Sequence, residues 1–104
     1  MSGGANALRG EAELRVGGEA LVLRPSFAAL VAAEAELGPL FALVERAADG
    51  QLGLGEMACL FWHCARERPD GLTREAVGEA VVAGGLAATT PALRVLLGQI
   101  LQGR

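Results

Sequence analysis

The feature that most constrains this chain is a pair of short alternating segments on either side of Gly17 and Gly18. Residues 11–16 and residues 19–24 alternate apolar side chains with charged or small ones, which is the period of a β-strand. Both central positions of a two-residue hairpin turn need a positive φ, and glycine adopts this conformation without steric cost. The sequence therefore predicts an antiparallel β-hairpin over residues 11–24.

A two-residue turn also fixes which residues of the hairpin lie opposite each other, and hence which residues share a face. One face is predicted to be apolar and the other to be charged. Because two strands alone are not stable in water, we expect the apolar face to pack on a layer of helices. The predicted pairs are Leu14 with Leu21 and Ala12 with Leu23 on the apolar face, and Glu13 with Val22 and Glu11 with Arg24 on the charged face.

Glycine and proline divide the rest of the chain into segments with helical periodicity. Ser26 is expected to cap the first helix, and Gly38 is expected to end it. With residues 1–9 as a flexible N-terminus, residues 10–104 are predicted to form a single α+β domain, in which the hairpin packs on four to five short helices. The predicted helices are about 27–37, 40–48, 55–68, 74–83 and 91–102.

Composition excludes several functional classes. The chain has 104 residues, of which 52 % are apolar, and a net charge of −3, which suits one small core. Its basic residues are all arginine and are not clustered, and the pI of about 5.1 argues against binding to nucleic acid. The longest apolar run, residues 27–33, is too short to span a membrane, and residues 1–6 lack the pattern of an export signal. We therefore expect a cytoplasmic protein that contacts no membrane and whose cysteines are thiols.

The only histidine and both cysteines lie within residues 59–64. Cys59 and His63 have the spacing that places two ligands on one helix face, but a structural zinc needs four ligands and Cys64 points about 140° away from Cys59. No neighbouring group is evident that would orient His63 as the base of a cysteine nucleophile. Residues 45–56 follow the register of a calcium loop only in part, since alanine and glycine replace expected oxygen ligands. We expect no metal, no cofactor and no catalytic residue.

Glu34 is predicted to lie within the apolar stripe of the first helix, which contains Phe27, Leu30, Val31 and Leu37. A carboxylate among apolar side chains needs a partner, or its pKa rises until it is neutral. We predict a structural ion pair between Glu34 and Arg24. The alternative, a general acid, would need a second catalytic group, and the chain has no tyrosine, no lysine and one histidine.

Trp62 is the other side chain that suggests an interaction. It is predicted to lie about 100° from the inner face of the third helix, half exposed and beside Arg66. Tryptophan and arginine are enriched at binding hot spots, although a single tryptophan also occurs at the edge of its own core. The candidate partner-binding residues are Trp62 and Arg66, together with Leu93, Leu97 and Leu101 on the apolar stripe of the last helix, if that helix swings away from the core.

The order of several short motifs resembles that of a known family. Residues 21–30 read LVLRPSFAAL and precede Glu34 and Gly38, and residues 72–78 read LTREAVG and precede Gly-Gly-Leu at 84–86. This succession resembles the gene transfer agent family of small phage-tail-cluster proteins, which is grouped with phage tail assembly chaperones. The resemblance covers nearly the whole chain and implies a non-enzymatic protein of tail assembly, with no known catalytic residues. The bulky segment 61–64 departs from the pattern expected of the family.

The resemblance implies a chaperone that acts in the cytoplasm of a bacterial host and binds the tape-measure protein or the tail tube subunits. Two alternatives stay open, namely a structural component of the tail tube, and a small cytoplasmic adaptor or regulatory domain unrelated to phage. A tube subunit forms rings through extended sheets, and one hairpin offers little edge for this purpose, so the chaperone is our expectation. Homo-oligomer formation is left open.

Overall fold

A computed structural model describes residues 11–102 of the chain. Residues 1–9, predicted to be a flexible N-terminus, lie outside the described residues. The described part is a single α+β domain in which an N-terminal hairpin packs on five helices, as predicted. Its elements are β1 (Ala12–Val16), β2 (Glu19–Leu23), α1 (Phe27–Leu37), α2 (Leu40–Ala48), α3 (Leu54–Cys64), α4 (Arg74–Gly84) and α5 (Leu86–Gln102).

The hairpin has the predicted turn and the predicted register. Gly17 and Gly18 have φ values of 59° and 87°, in the region that favours glycine. In the β1–β2 ladder Ala12 lies opposite Leu23, Glu13 opposite Val22, and Leu14 opposite Leu21. The apolar face of the hairpin is buried, because it packs on the helices rather than facing water.

The third helix is shorter than predicted, since α3 ends at Cys64 rather than near residue 68. The chain then runs along the outer edge of β2. The backbone N–H of Arg24 donates to the carbonyl of Cys64 at 2.7 Å, and that of Arg66 donates to the carbonyl of Val22 at 2.8 Å. Residues 64–66 therefore form backbone hydrogen bonds with the end of β2 instead of continuing the helix. This segment covers part of the edge of the sheet.

Helix α1 begins and ends as predicted, and Leu30 and Leu37 of its predicted inner stripe pack against the core, but Phe27 and Val31 are exposed. The Ser26 hydroxyl accepts a hydrogen bond from the backbone N–H of Ala29 at 3.2 Å, and Gly38 ends the helix with a φ of 84°. Ala33 is fully buried, whereas Phe27 is 86 % exposed. Alanine occupies both faces of α1, so hydrophobic periodicity alone did not separate the inner face from the outer one.

Helix α5 starts at Leu86, five residues before the predicted start. Gly85, with a φ of 84°, ends α4 and redirects the chain. Pro91 lies inside the helix rather than in its first turn. The hydroxyl groups of Thr89 and Thr90 each donate to the carbonyl of Leu86 at 2.9 Å, so these side chains satisfy a backbone acceptor at the start of the helix.

The core lies between the apolar face of the hairpin and the helices. Helix α3 occupies the centre and packs on α1 and α4, while α5 crosses β1 and also contacts α4 and α2. The apolar face of the hairpin packs mainly on α5 and α4, which both contact β1. The largest fully buried side chains are Phe61, Leu23, Leu43, Leu60, Leu96, Val77, Val81 and Cys64.

Within residues 11–102, no single helix is long and apolar enough to cross a membrane. The pairs α1–α2 and α4–α5 reach the necessary length and apolar content only when their two helices are taken together, and they bend by 75° and 119° at the break between them.

Candidate functional site

Four polar side chains from three helices meet at the surface, in an arrangement that we call the Glu36 cluster. Glu36 lies near the end of α1, Cys59 and His63 lie one turn apart on α3, and Arg74 begins α4. Arg74 donates to Glu36 Oε1 at 2.6 Å and to Oε2 at 2.5 Å. His63 Nε2 lies 2.7 Å from Glu36 Oε2, and Cys59 Sγ lies 3.5 Å from Oε1. The cluster therefore links α1, α3 and α4 through one carboxylate.

Hydrogen bonds determine the charge of this cluster. Those from Arg74 and then from His63 lower the pKa of Glu36 to about 2, because they favour the ionised carboxylate. The same contact with Glu36 raises the pKa of Arg74. At neutral pH the carboxylate is ionised, and its charge is balanced by the guanidinium that lies beside it.

The pKa values of both cysteine thiols are raised. Burial, followed by the charge of Glu36, raises the pKa of Cys59 to about 11. Burial raises the pKa of Cys64 to about 12. The thiolate is the reactive form of cysteine, and these pKa values keep both thiols protonated at neutral pH.

Glu36, Cys59 and His63 offer metal-ligand atoms that all lie within 4.8 Å of one another. The third member is a carboxylate and not Cys64, which is buried in the core. Both oxygens of that carboxylate accept hydrogen bonds from Arg74, so a cation at this position would have to displace the guanidinium. The contacts of Glu36 with His63 and Arg74 link α1 to α3 and α4.

The lowered pKa of Glu36 predicts a stability that depends on pH in acid. The folded-state pKa of about 2 lies below the ordinary value of 4.5, so the stabilisation is fully present above pH 4.5 and is lost as the pH falls towards 2. We expect the thermal midpoint to decrease over this range and the decrease to be smaller in Glu36→Gln. The control Glu45→Gln, which alters an exposed glutamate of α2 outside the cluster, should keep the wild-type profile. If the thermal midpoint of Glu36→Gln decreases in acid as much as that of the wild type, the lowered pKa of Glu36 is contradicted.

The predicted ion pair between Glu34 and Arg24 is wrong. Glu34 is exposed, and its Oε2 accepts a hydrogen bond from the backbone N–H of Leu40 at 3.1 Å. Leu40 is the first residue of α2, where the N-terminal end of the helix dipole favours a negative charge. Arg24 is also exposed, at the end of the hairpin. Glu34 therefore bonds to the backbone at the start of α2 instead of pairing with Arg24.

Trp62 is half-buried, but the arginine beside it is not the predicted one. The guanidinium of Arg68 lies over its ring at 4.4 Å from the centroid, and that of Arg74 lies at 6.0 Å. Arg68 Nε also donates to the carbonyl of Trp62 at 3.2 Å. Arg68 thus covers one face of the indole, and the predicted pairing of Trp62 with Arg66 is wrong.

Arg66 instead contacts Glu11 at the start of the hairpin. Its Nη1 lies 3.4 Å from Glu11 Oε2, and Glu11 is only 3 % exposed. The sequence placed Glu11 on a charged outer face, opposite Arg24. Because α3 ends at Cys64, Arg66 lies on the edge of the sheet rather than on a helix face, and from there it reaches the buried carboxylate.

The three leucines proposed on the last helix differ in exposure. Leu93 and Leu97 are half-buried and pack against the core, whereas Leu101 is about half-exposed. Between them, Leu96 is fully buried. The apolar side chains of α5 therefore pack the helix against the domain. Partner binding by Leu93, Leu97 and Leu101 stays a prediction.

Two groups of exposed apolar side chains were not identified from the sequence. The first group is Phe27 and Val31, one turn apart on α1, which we call the α1 stripe. Phe41 on α2 is exposed as well but belongs to neither group. The second group surrounds a groove of about 600 Å³ between α3 and α4, called here the α3–α4 groove, lined by Leu54, Gly55, Ala58, Glu75, Gly78, Glu79, Val82 and Ala83.

Comparison with protein families matches residues 9–103 to the family described as "Phage tail tube protein, GTA-gp10". The chain belongs to this family. No curated protein and no solved structure gives a significant match to this GTA-gp10 family member. The match confirms the resemblance to gene transfer agent and phage tail proteins. It describes a tail tube protein, so the chaperone function that we expected is not confirmed.

Membership of the GTA-gp10 family indicates a role related to the phage tail and association with other tail proteins. Proteins of such assemblies bind through exposed surfaces, and contiguous exposed apolar side chains mark such surfaces. In this member the α1 stripe and the α3–α4 groove have that character, whereas the polar groups of the Glu36 cluster bond to one another.

Proposed function

We propose that the protein is a structural component of a phage-like or gene transfer agent tail and acts through contacts between proteins. The observation that carries this proposal is the family match, which spans residues 9–103 and describes a tail tube protein. Incorporation into a tail needs surfaces that bind neighbouring subunits. The α1 stripe and the α3–α4 groove supply apolar surface of that kind.

The chemistry of the polar residues supports a function without catalysis. Catalytic groups have pKa values matched to proton transfer or nucleophilic attack near neutral pH. In the Glu36 cluster the shifts go the other way, since the carboxylate pKa is lowered to about 2 and that of Cys59 is raised to about 11. The cluster binds three helices together, and we assign it no reaction and no cofactor.

A tail assembly chaperone is the second candidate, and one structural observation favours it. In residues 11–102 the sheet has two strands, and residues 64–66 cover part of the β2 edge. A ring built through extended sheets would have little free edge to use. A cytoplasmic helper could instead use the same apolar surfaces to cover the tape-measure protein or the tube subunits of its bacterial host. The family description favours the structural role, and it does not support the adaptor alternative.

Quantitative mass spectrometry of purified particles distinguishes the two functions. For a structural component we expect many copies per particle, in a constant ratio to other tail proteins. A tape-measure protein quantified in the same sample provides the low-copy reference. If the protein is abundant in the producing cells but absent from purified particles, the structural proposal is wrong and the chaperone is favoured.

A further inference from the structure

We propose that Glu36, Cys59 and His63 form a binding site for one zinc ion, which competes there with the guanidinium of Arg74. The proposal goes beyond the structural function and is independent of it, and it assigns no reaction to the Glu36 cluster. In this site zinc joins α1 to α3 through three protein ligands.

The three side chains carry the donor atoms that zinc prefers. Thiolate sulfur, imidazole nitrogen and carboxylate oxygen are the usual ligands of zinc, whereas calcium and magnesium prefer oxygen alone. Cys59 and His63 lie four residues apart on α3, so their side chains share one face of the helix. The third member, Glu36, reaches them from α1, and the spacing of residues in the sequence could not indicate it.

The ligand atoms already lie close to the spacing of a zinc site. His63 Nε2 lies 2.7 Å from Glu36 Oε2, and Cys59 Sγ lies 3.5 Å from Glu36 Oε1. Ligand atoms of the three residues all lie within 4.8 Å of one another. The bond lengths of a tetrahedral zinc site place neighbouring ligand atoms about 3.4–3.6 Å apart, so shifts of about 1 Å bring the three atoms to three corners of a tetrahedron. Water fills the fourth corner, as in other zinc sites with three protein ligands.

Burial holds two of the ligands in place, and exposure of the third gives the ion access. Cys59 is 8 % exposed and the side chain of His63 is 11 % exposed, so packing on α3 restricts both side chains. Ligands that are held in position before the ion arrives lose little conformational freedom when it binds. The side chain of Glu36 is 40 % exposed, which opens the site to the solvent.

Arg74 shows that this position already holds a cation. Its guanidinium donates to both oxygens of Glu36 and lies 3.2 Å from His63 Nε2, so it contacts two of the three ligands. Both partners of the Arg74–Glu36 ion pair are exposed, and exposed ion pairs contribute little to stability. Zinc therefore displaces a weakly held competitor. The guanidinium lies 6.0 Å from the centroid of the Trp62 ring, where a cation–π contact remains for it after release.

The charges of the site balance when zinc replaces the guanidinium. Burial raises the pKa of Cys59 to about 11, so the thiol carries its proton at neutral pH until a metal ion binds. Zinc binding releases this proton to the solvent, because a coordinated thiol is deprotonated. The thiolate and the Glu36 carboxylate then cancel the two positive charges of the ion, and His63 binds as neutral imidazole.

Isothermal titration calorimetry of the full chain with zinc chloride tests the site. We expect one zinc ion to bind per chain and the thermal midpoint to rise when zinc is present. Cys59→Ser and His63→Gln should each weaken zinc binding by at least about 100-fold, since even the loss of an outer-shell partner costs about 10–100-fold. Thermal denaturation without metal shows whether each variant is folded. Magnesium chloride should not compete with zinc, because its ion prefers oxygen ligands.

The sign of the Arg74 effect tests the competition. Arg74→Gln removes the competing cation, so zinc should bind about two- to fivefold more tightly, the factor that corresponds to a surface ion pair. The matched control Arg68→Gln alters an arginine that contacts Trp62 and lies outside the Glu36 cluster, and it should leave the zinc affinity unchanged. Weaker zinc binding by a folded Arg74→Gln variant would contradict the competition.

Cobalt tests whether the thiolate is a ligand. Co²⁺ in place of zinc gives a charge-transfer band in the near ultraviolet when sulfur coordinates it, and we expect this band in the wild type and not in Cys59→Ser. Three results would overturn the site: no one-to-one zinc binding, a zinc affinity unchanged in Cys59→Ser and His63→Gln, or a wild-type cobalt complex without the band. High copy number in purified particles would leave the structural function standing after any of them.

Discussion

Replacement of Phe61 by alanine is expected to lower the free energy of unfolding by about 3–5 kcal/mol. Phe61 is fully buried on α3, the helix that packs on both α1 and α4. The substitution removes buried apolar surface and leaves a cavity that the surrounding elements fill only in part. Since a domain is stable by about 5–15 kcal/mol, we expect a large share of the folding free energy to be lost. Urea denaturation followed by circular dichroism measures the change.

Phe27→Ala is the matched control for this measurement. It makes the same chemical change on a neighbouring helix, but Phe27 is 86 % exposed. A substitution at such a surface position usually changes the unfolding free energy by no more than about 0.5 kcal/mol. Equal losses in the two variants would mean that the burial of α1 and α3 is not as described.

The second large effect is expected for Leu96→Ala on α5, with a loss of about 2–5 kcal/mol. Leu96 is fully buried where α5 packs across β1 and against α4. The corresponding change at Leu101, which is about half-exposed at the end of the same helix, should cost much less. Thermal or urea denaturation of both variants gives the comparison.

The Leu96 result also bears on whether α5 leaves the core to bind a partner. If the helix were detached in solution, truncating Leu96 would create no cavity, and its effect would match that of Leu101→Ala. Such a result would revive the prediction that Leu93, Leu97 and Leu101 bind a partner together. A loss confined to Leu96→Ala would mean that α5 is part of the folded domain.

Local chemistry was sufficient to predict the hairpin and most helix boundaries. Gly17 and Gly18 fixed both the turn and the strand register, because only a two-residue turn with positive φ joins the two segments. The first helix was bounded by a Ser26 cap and by Gly38, and α4 was capped by Thr73, whose hydroxyl accepts from the N–H of Ala76. These signals lie within a few residues of the structure that they determine.

Other features depend on contacts between distant residues. The end of α3 is set by the backbone hydrogen bonds of residues 64–66 with β2, about 40 residues earlier in the chain, which no local pattern reveals. The pairing of Arg66 with Glu11 follows from that ending. The alanine-rich sequence of α1 does not distinguish its two faces, so the exposure of Phe27 and Val31 depends on how the helix packs.

The Glu36 cluster also depends on contacts between residues that are distant in the sequence. The sequence drew attention to Cys59 and His63 because of their spacing, but it gave no reason to select Glu36 or Arg74. Those residues lie 38 positions apart and meet only when α1 and α4 pack on α3. Their function as a cross-link became recognisable from the distances between the side chains.

The central claim is that exposed apolar surface, and not the polar cluster, carries the function. The most direct test is the titre of functional particles from producing cells that lack the gene and are supplied with single variants. Phe27→Glu should reduce the titre severely while the purified variant keeps its fold, whereas Cys59→Ala and His63→Gln should support a titre near that of wild type. Normal titre with Phe27→Glu, together with loss of particles in a stably folded His63→Gln variant, would contradict the claim.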